Sequence, residues 1–214
     1  EATPGIAVEA VKNECAYMGF LAIHLLDSVQ EVFFNNRKDL IPKIEETETK
    51  IDQLHKAVKA YAEDIMQAGI SDDAARVLTL YVASSGNIER IGDYGKKLLE
   101  YYAYRQNRPK DFSPQAMTEL SGMYAEAHHA IVTALDGFIN DDPDKAREVA
   151  PIAGKLRGLE VELRNRHIQR LDKQECDSET GLVYVDILGI IEHIGYHSNN
   201  VAKATISTCA ETKA

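Results

Sequence analysis

The amino-acid sequence predicts an all-α protein built as two tandem three-helix bundles. Apolar residues recur at helical spacing over long stretches, and no alternating β-branched segment is bounded by a hairpin turn. The chain also repeats itself at a nearly constant interval. An offset of 105 pairs Met18 with Met123, Ala22 with Ala127, His24 with His129, Phe33 with Phe138, Asn35 with Asn140 and Asp39 with Asp144. Further on, an offset of 103 pairs Tyr81 with Tyr184, Gly86 with Gly189, Ile88 with Ile191, Glu89 with Glu192 and Gly92 with Gly195. The matches cluster at both ends of the unit, with two residues lost between them in the second copy. They divide the chain into units 1–108 and 109–214 and leave the middle helices unaligned.

In the first unit, Met18, Leu21, Ala22, Leu25, Val29 and Val32 form one apolar helical stripe that Asn35 and Asn36 interrupt. A second helix is expected from near Asp39 to Gly69, carrying Ile44, Ile51, Leu54, Val58, Tyr61 and Ile65. Ser71, followed by Asp72 and Asp73, has the chemistry of an N-cap for a third helix reaching about Asn107. Pro109 and Pro114 mark the linker between copies. In the second unit Asp141-Asp142-Pro143 separates helices, with Pro at a helix start, and Ser178 to Gly181 opens the last helix.

With 214 residues, 44% of them apolar and 27% charged, the composition is that of a globular protein able to bury a core. A formal net charge of −10 makes nucleic acid and anionic lipid poor partners. Cys15, Cys176 and Cys209 are sparse, odd in number and without CxxC spacing, which points to a reducing compartment. The uncharged run Cys15–Leu26 is too short to span a bilayer, and no signal peptide is evident. The chain opens on Glu1 rather than Met, as expected after removal of a tag or for a piece of a longer protein.

The segment Asn87-Ile88-Glu89-Arg90-Ile91-Gly92-Asp93-Tyr94 is the most informative. Glu89 and Asp93 are four residues apart, so both carboxylates leave one helix face; unrelieved, such a like-charge pair costs about 0.2–0.5 kcal/mol. Gly86, Gly92 and Gly95 each cost about 1 kcal/mol against Ala in a helix interior. A cation between the carboxylates and a close helix against the glycines would offset both. Glu48 and Asp52 repeat the E-x-x-x-D spacing in the second helix. If the two helices face each other, four carboxylates converge on a site for a hard or borderline divalent or trivalent cation. The alternative is a solvated acidic face balanced by Arg90 or Lys96.

The run Glu89-Arg90-Ile91-Gly92-Asp93-Tyr94-Gly95-Lys96-Lys97-Leu98 resembles the signature of the PhoU family, and Glu48-Thr49-Lys50-Ile51-Asp52 resembles its companion motif. The likeness extends over nearly the whole chain. It implies a non-enzymatic, cytoplasmic regulator of phosphate transport and signalling that binds metal through these acidic motifs, with iron, zinc or nickel as the expected ion. The opening Thr3-Pro4-Gly5-Ile6-Ala7, with Glu14 and Met18, resembles the entry to the cytosolic PhoU domain of bacterial sodium/phosphate cotransporter-family proteins. The partners so implied are a transporter membrane domain or phosphate-signalling proteins, and a surface metal cluster also invites a homodimer.

The second copy departs from the pattern. Tyr196 stands opposite Asp93 at the equivalent position, and no E-x-x-x-D survives in the fifth helix, where Glu160 and Glu162 are two apart. Glu192, His193 and His197, with Asp186 on roughly the same face, have spacing suited to zinc or nickel, or to a polar exposed stripe. His24 and His129 flank apolar stripes as structural histidines, and Tyr94, Tyr101, Tyr102 and Tyr104 suit packing or an aromatic contact surface. Arg105, Arg108 and Lys110 form one basic patch, and Arg157, Arg164, Arg166 and Arg170 a longer one, both read as solvated faces. Two rival functions follow: a ferritin-like di-metal enzyme, resting on Glu126-x-x-His129 and Asp52-x-x-His55, and a metal-free helical adaptor. No nucleophile constellation or P-loop supports an enzyme.

Overall fold

The computed structural model describes residues 3–108 and 111–211. Among these residues it contains α1 (Pro4–Asn35), a 3-10 turn (Lys38–Leu40), α2 (Ile41–Gln67), α3 (Asp72–Gln106), α4 (Pro114–Ile139), α5 (Pro143–Arg147), α6 (Val149–Asp172) and α7 (Ser178–Glu211), and no strand.

Local chemistry sets the boundaries. Asn36 closes α1 at φ 60°, a left-handed conformation that Asn tolerates, and its N–H reaches Val32 O at 3.1 Å. The expected start of the second helix near Asp39 falls in the 3-10 turn instead, and α2 begins at Ile41 with Pro42 in its first turn. Ser71 caps α3 as expected, accepting from Ala74 N–H at 3.2 Å. Pro114 is not a linker residue: it opens α4, whose cap Ser113 accepts from Ala116 N–H at 3.1 Å. Pro109 and Lys110 lie outside the described residues. Where the first unit has its 3-10 turn the second has a short helix, because the Asp142 carboxylate caps Asp144 and Lys145 N–H and starts the five-residue α5. α7 opens at Ser178 as expected, capped by Asp177 accepting from Thr180 N–H at 2.9 Å.

Helices α1, α2 and α3 pack on one another, as do α4, α6 and α7, and the two bundles join through α1 against α4 and α3 against α7. Both joints are antiparallel. Along the first, Lys12 meets Asp141, Gly19 meets Leu135, and Asp27 meets His128. Along the second, Asn87 meets His197, Tyr94 meets His193, and Tyr101 meets Asp186. Each repeat therefore meets its twin about a pseudo-two-fold axis, over one continuous core that includes Met18, Leu25, Ile88, Ile131, Leu188 and Ile191.

Gly95 permits close approach of α1, since a Cβ there would overlap Leu25. Gly137 is less forgiving, because a Cβ would stand 3.0 Å from Ala146 N and 3.1 Å from Asp142 O, backbone atoms that cannot rotate aside as a leucine side chain can. Overpacking of about 1–3 kcal/mol outweighs the roughly 1 kcal/mol that Ala gains in helix propensity. Gly137→Ala is expected to shift the urea unfolding midpoint downward, and an unchanged midpoint would show that the 140–146 turn gives way freely.

Candidate functional site

The register of α2 on α3 follows from Ile51, which lies 3.4 Å from where a Cβ on Gly92 would sit. That contact sets Glu48 and Asp52 on one side of the groove and Glu89 and Asp93 on the other, all four half-buried. Asp93 is within hydrogen-bond reach of both Glu89 and Glu48. Burial first, and then the Glu89 carboxylate, push the Asp93 pKa up from 3.8 to about 6, although Arg90 and Glu48 act in the opposite direction. Lys96 Nζ donates to Glu48 at 3.2 Å and Lys56 Nζ to Asp52 at 2.9 Å. Lysines thus neutralise the two outer carboxylates while the inner pair stays crowded. Among the described residues no three His, Cys, Asp or Glu side chains already stand as a ligand cage. The donor chemistry nevertheless suits a hard cation: four carboxylates on two facing helices, one of them disfavouring its own charge.

The second repeat keeps the backbone register and changes the chemistry. Leu156 packs on Gly195 as Ile51 packs on Gly92, so Ala153 and Arg157 occupy the places of Glu48 and Asp52. This aligns the middle helices that sequence matching leaves open. Glu192, His193 and His197 are not gathered around one point. His193 Nε2 is 3.7 Å from Glu192 Oε2, His197 Nδ1 donates to Asn87 Oδ1 at 2.8 Å, and Asp186 accepts from Tyr101 at 3.1 Å. Burial, and then the Arg90 charge, press the His197 pKa down to about 4, which leaves its imidazole neutral at pH 7.

Other candidates find partners. His24 and His129 are exposed, and Glu126 is paired with Lys155 at 2.5 Å, so the residues of the ferritin-like reading do not converge. His55 Nδ1 lies 2.9 Å from Ser85 Oγ. The basic patches need correction. Arg105 is buried between Phe33 and Phe112 and forks onto Asp111 at 2.7 and 2.8 Å, while Arg108 pairs with Glu179. Arg170 is buried against Glu119 at 3.1 Å, and Arg164 and Arg166 pair with Glu160 and Glu162. Arg157, Arg164 and Arg166 are exposed and fit the solvated face expected of that patch, and Arg170 alone of the four is buried.

Sequence reasoning missed Asn87, which accepts from both His197 and Asn200 and ties α3 to α7. It also missed Glu119, although an acid on the stripe that holds Ala116, Leu120 and Met123 signals a buried partner.

The fold and this face define a class: a duplicated three-helix bundle with paired acidic motifs on adjoining helices. The PhoU domain model matches residues 16–102 and again 120–205, and the chain belongs to the PhoU family. It is 24% identical over 198 residues to the phosphate-specific transport system accessory protein PhoU homolog 1 of Thermotoga maritima, covering 92% of this chain and 84% of that protein. A homolog from Synechocystis is 26% identical over 140 residues, covering 64% of this chain and 61% of that one. The fold is similar to the crystal structure of PhoU from Pseudomonas aeruginosa, with TM-score 0.89 and 19% identity over 96% of this chain and 98% of that one. It is also similar to the regulatory protein PhoU from Streptococcus pneumoniae, with TM-score 0.84 and 15% identity over 96% of each.

Proposed function

We propose that this chain regulates phosphate transport and takes up a metal ion on Glu48, Asp52, Glu89 and Asp93. The regulatory part is supported by family membership and by relatives named as accessory to phosphate-specific transport systems. The metal part rests on four half-buried carboxylates on two facing helices, with Asp93 crowded by Glu89. An ion there neutralises the inner pair and frees Lys56 and Lys96 from Asp52 and Glu48. An all-oxygen donor set favours iron over the more nitrogen-preferring zinc or nickel among the expected ions. The likeness at Thr3–Ala7 supports a transporter membrane domain, of the sodium/phosphate cotransporter type, as the partner at the cytoplasmic side. No helix among the described residues is long and apolar enough to cross a membrane, so any such anchoring lies outside them.

Elemental analysis of protein purified without chelator tests the metal reading. Glu89→Gln combined with Asp93→Asn is expected to remove most bound metal while the helical circular dichroism stays unchanged, and equal metal content in the variant overturns the assignment. The same measurement on His193→Ala decides whether the second repeat contributes ligands: a drop below wild type gives Glu192, His193 and His197 a share.

A further inference from the structure

The two repeats serve as each other's control at one end of each bundle. With α6 in register at offset 105 and α7 at offset 103, His167 stands where the first repeat has Ala62, Gly181 where it has Leu78, and Gln174 where it has Gly69. Ala62 and Leu78 are buried, so the first bundle closes there by apolar packing. In the second, the His167 ring fills the space over Gly181, where a Cβ would overlap its Nε2, and leans on Tyr184 with ring centroids 4.9 Å apart. His167 is 4% exposed, and its Nε2 has no hydrogen-bond partner among the described residues. An orphaned polar atom in the core is a local cost that the Ala62–Leu78 pair does not carry. The turn after α6 adds another: Gln174 holds φ 59°, where Gly69 takes φ 86° with no Cβ to crowd. Beside this turn lies a cavity of about 510 Å³, which His167 lines together with Gln174, Thr180, Ser113 and Ala116.

We propose that His167 is an acid-sensitive switch: protonation drives its ring off Gly181 into the cavity and opens the α6–α7 turn, while the matching end of the first bundle stays closed. A charged imidazole finds no counter-ion where the ring now sits. Arg170 lies beside it on α6 and repels it. Glu119, facing from α4, is claimed by Arg170, Arg166 and the Tyr184 hydroxyl of α7. Around the cavity, Asp111 pairs with Arg105, Asp177 accepts from the Thr180 hydroxyl, and burial pushes the Cys176 thiol up. Exposed Glu175 on the rim forms no ion pair among the described residues, and gives the displaced imidazolium a partner. Burial, and then Arg170, hold the His167 pKa below 6.5 against the pull of Glu119. The turn is therefore most firmly closed above pH 6.5 and loosens as pH falls toward the lowered value. Asp93 acts in the opposite sense within the first bundle, so the effect has to be read locally.

Hydrogen exchange on the full chain, read by mass spectrometry at pH 7.5 and 5.5 and corrected for intrinsic rates, tests this. Segment 165–185 is expected to lose protection about tenfold at pH 5.5, the factor set by a proton that binds with its ordinary affinity only once the turn is open. Segment 60–82 is expected to change by less than about twofold. His167→Gln, which does not titrate, should abolish the difference. So should His167→Ala combined with Gly181→Leu, which installs the packing of the first repeat. Wild type with equal protection of 165–185 at both pH values, or a His167→Gln variant that keeps the loss, overturns the proposal. An equal loss in 60–82 also overturns it, because acid would then be loosening both bundles without regard to this side chain.

Discussion

Glu119→Ala is expected to lose roughly 3–5 kcal/mol of stability, because it leaves the Arg170 guanidinium buried without its counter-ion. The two side chains are 8% and 10% exposed, joined by contacts of 3.1 and 3.2 Å, and the Tyr184 hydroxyl donates to the same carboxylate at 2.7 Å. Burial pushes the Glu119 pKa up, but hydrogen bonds from Arg170 and Tyr184 outweigh it and hold the carboxyl below its usual range. Its contribution is thus present above that range and lost as pH falls through the lowered value. Replacing both partners with apolar residues, as in Glu119→Leu with Arg170→Met, should recover most of the loss, since a well-packed apolar pair avoids desolvating two charges. Urea unfolding of the two variants checks both statements. A single-variant loss under about 1 kcal/mol would mean that water reaches Arg170.

Asp93→Asn is expected to act with opposite sign in the two states of the protein. The folded pKa of Asp93, about 6, lies above its ordinary 3.8, so the folded chain holds this proton more tightly than the unfolded chain does. The resulting stabilisation is full below the unfolded value and is lost as pH rises through about 6. By this group alone, metal-free wild type should melt at a higher temperature at pH 5 than at pH 7.5. The Asn variant should lose this part of the pH dependence and gain about 1 kcal/mol at pH 7.5, after allowance for solvent screening at a half-buried site. With metal present the order reverses. A ligand at 100 times its dissociation constant stabilises by about 2.7 kcal/mol, and the variant should forfeit most of that. Thermal scans at two pH values, with chelator and with metal, give the four numbers needed. A variant less stable than wild type in chelator would contradict the crowding of Asp93.

Much of the architecture was legible because it depends on features that sequence carries locally. Stripes at helical spacing, Ser71 as a cap and the duplicated ends each specify their own neighbourhood. The acidic groove was legible for the same reason, since an E-x-x-x-D pair fixes its own face. Its lysine partners were only partly legible: Lys96 was a candidate from spacing, whereas Lys56 and the crowding of Asp93 needed the register of α2 on α3. The basic patches misled because charge along one helix does not reveal whether another helix covers it. Arg105 and Arg170 are buried by Phe33 and Tyr184 from other helices and by Phe112 from the loop before α4. Pro109 and Pro114 together suggested a longer linker than exists up to Ser113, since a proline serves equally in a loop or at a helix start.

The outer position of α2 has a mechanical consequence. Among the described residues, and apart from the 3-10 turn at its own beginning, it touches only α1 and α3, and no helix of the second bundle supports it. Like α6 in the other bundle, it is an outer arm packed only within its own bundle, and half of the acidic groove sits on it. An ion bridging that groove would work as a latch on a hinged strut, so that anything docking along the strut would feel whether the latch is shut.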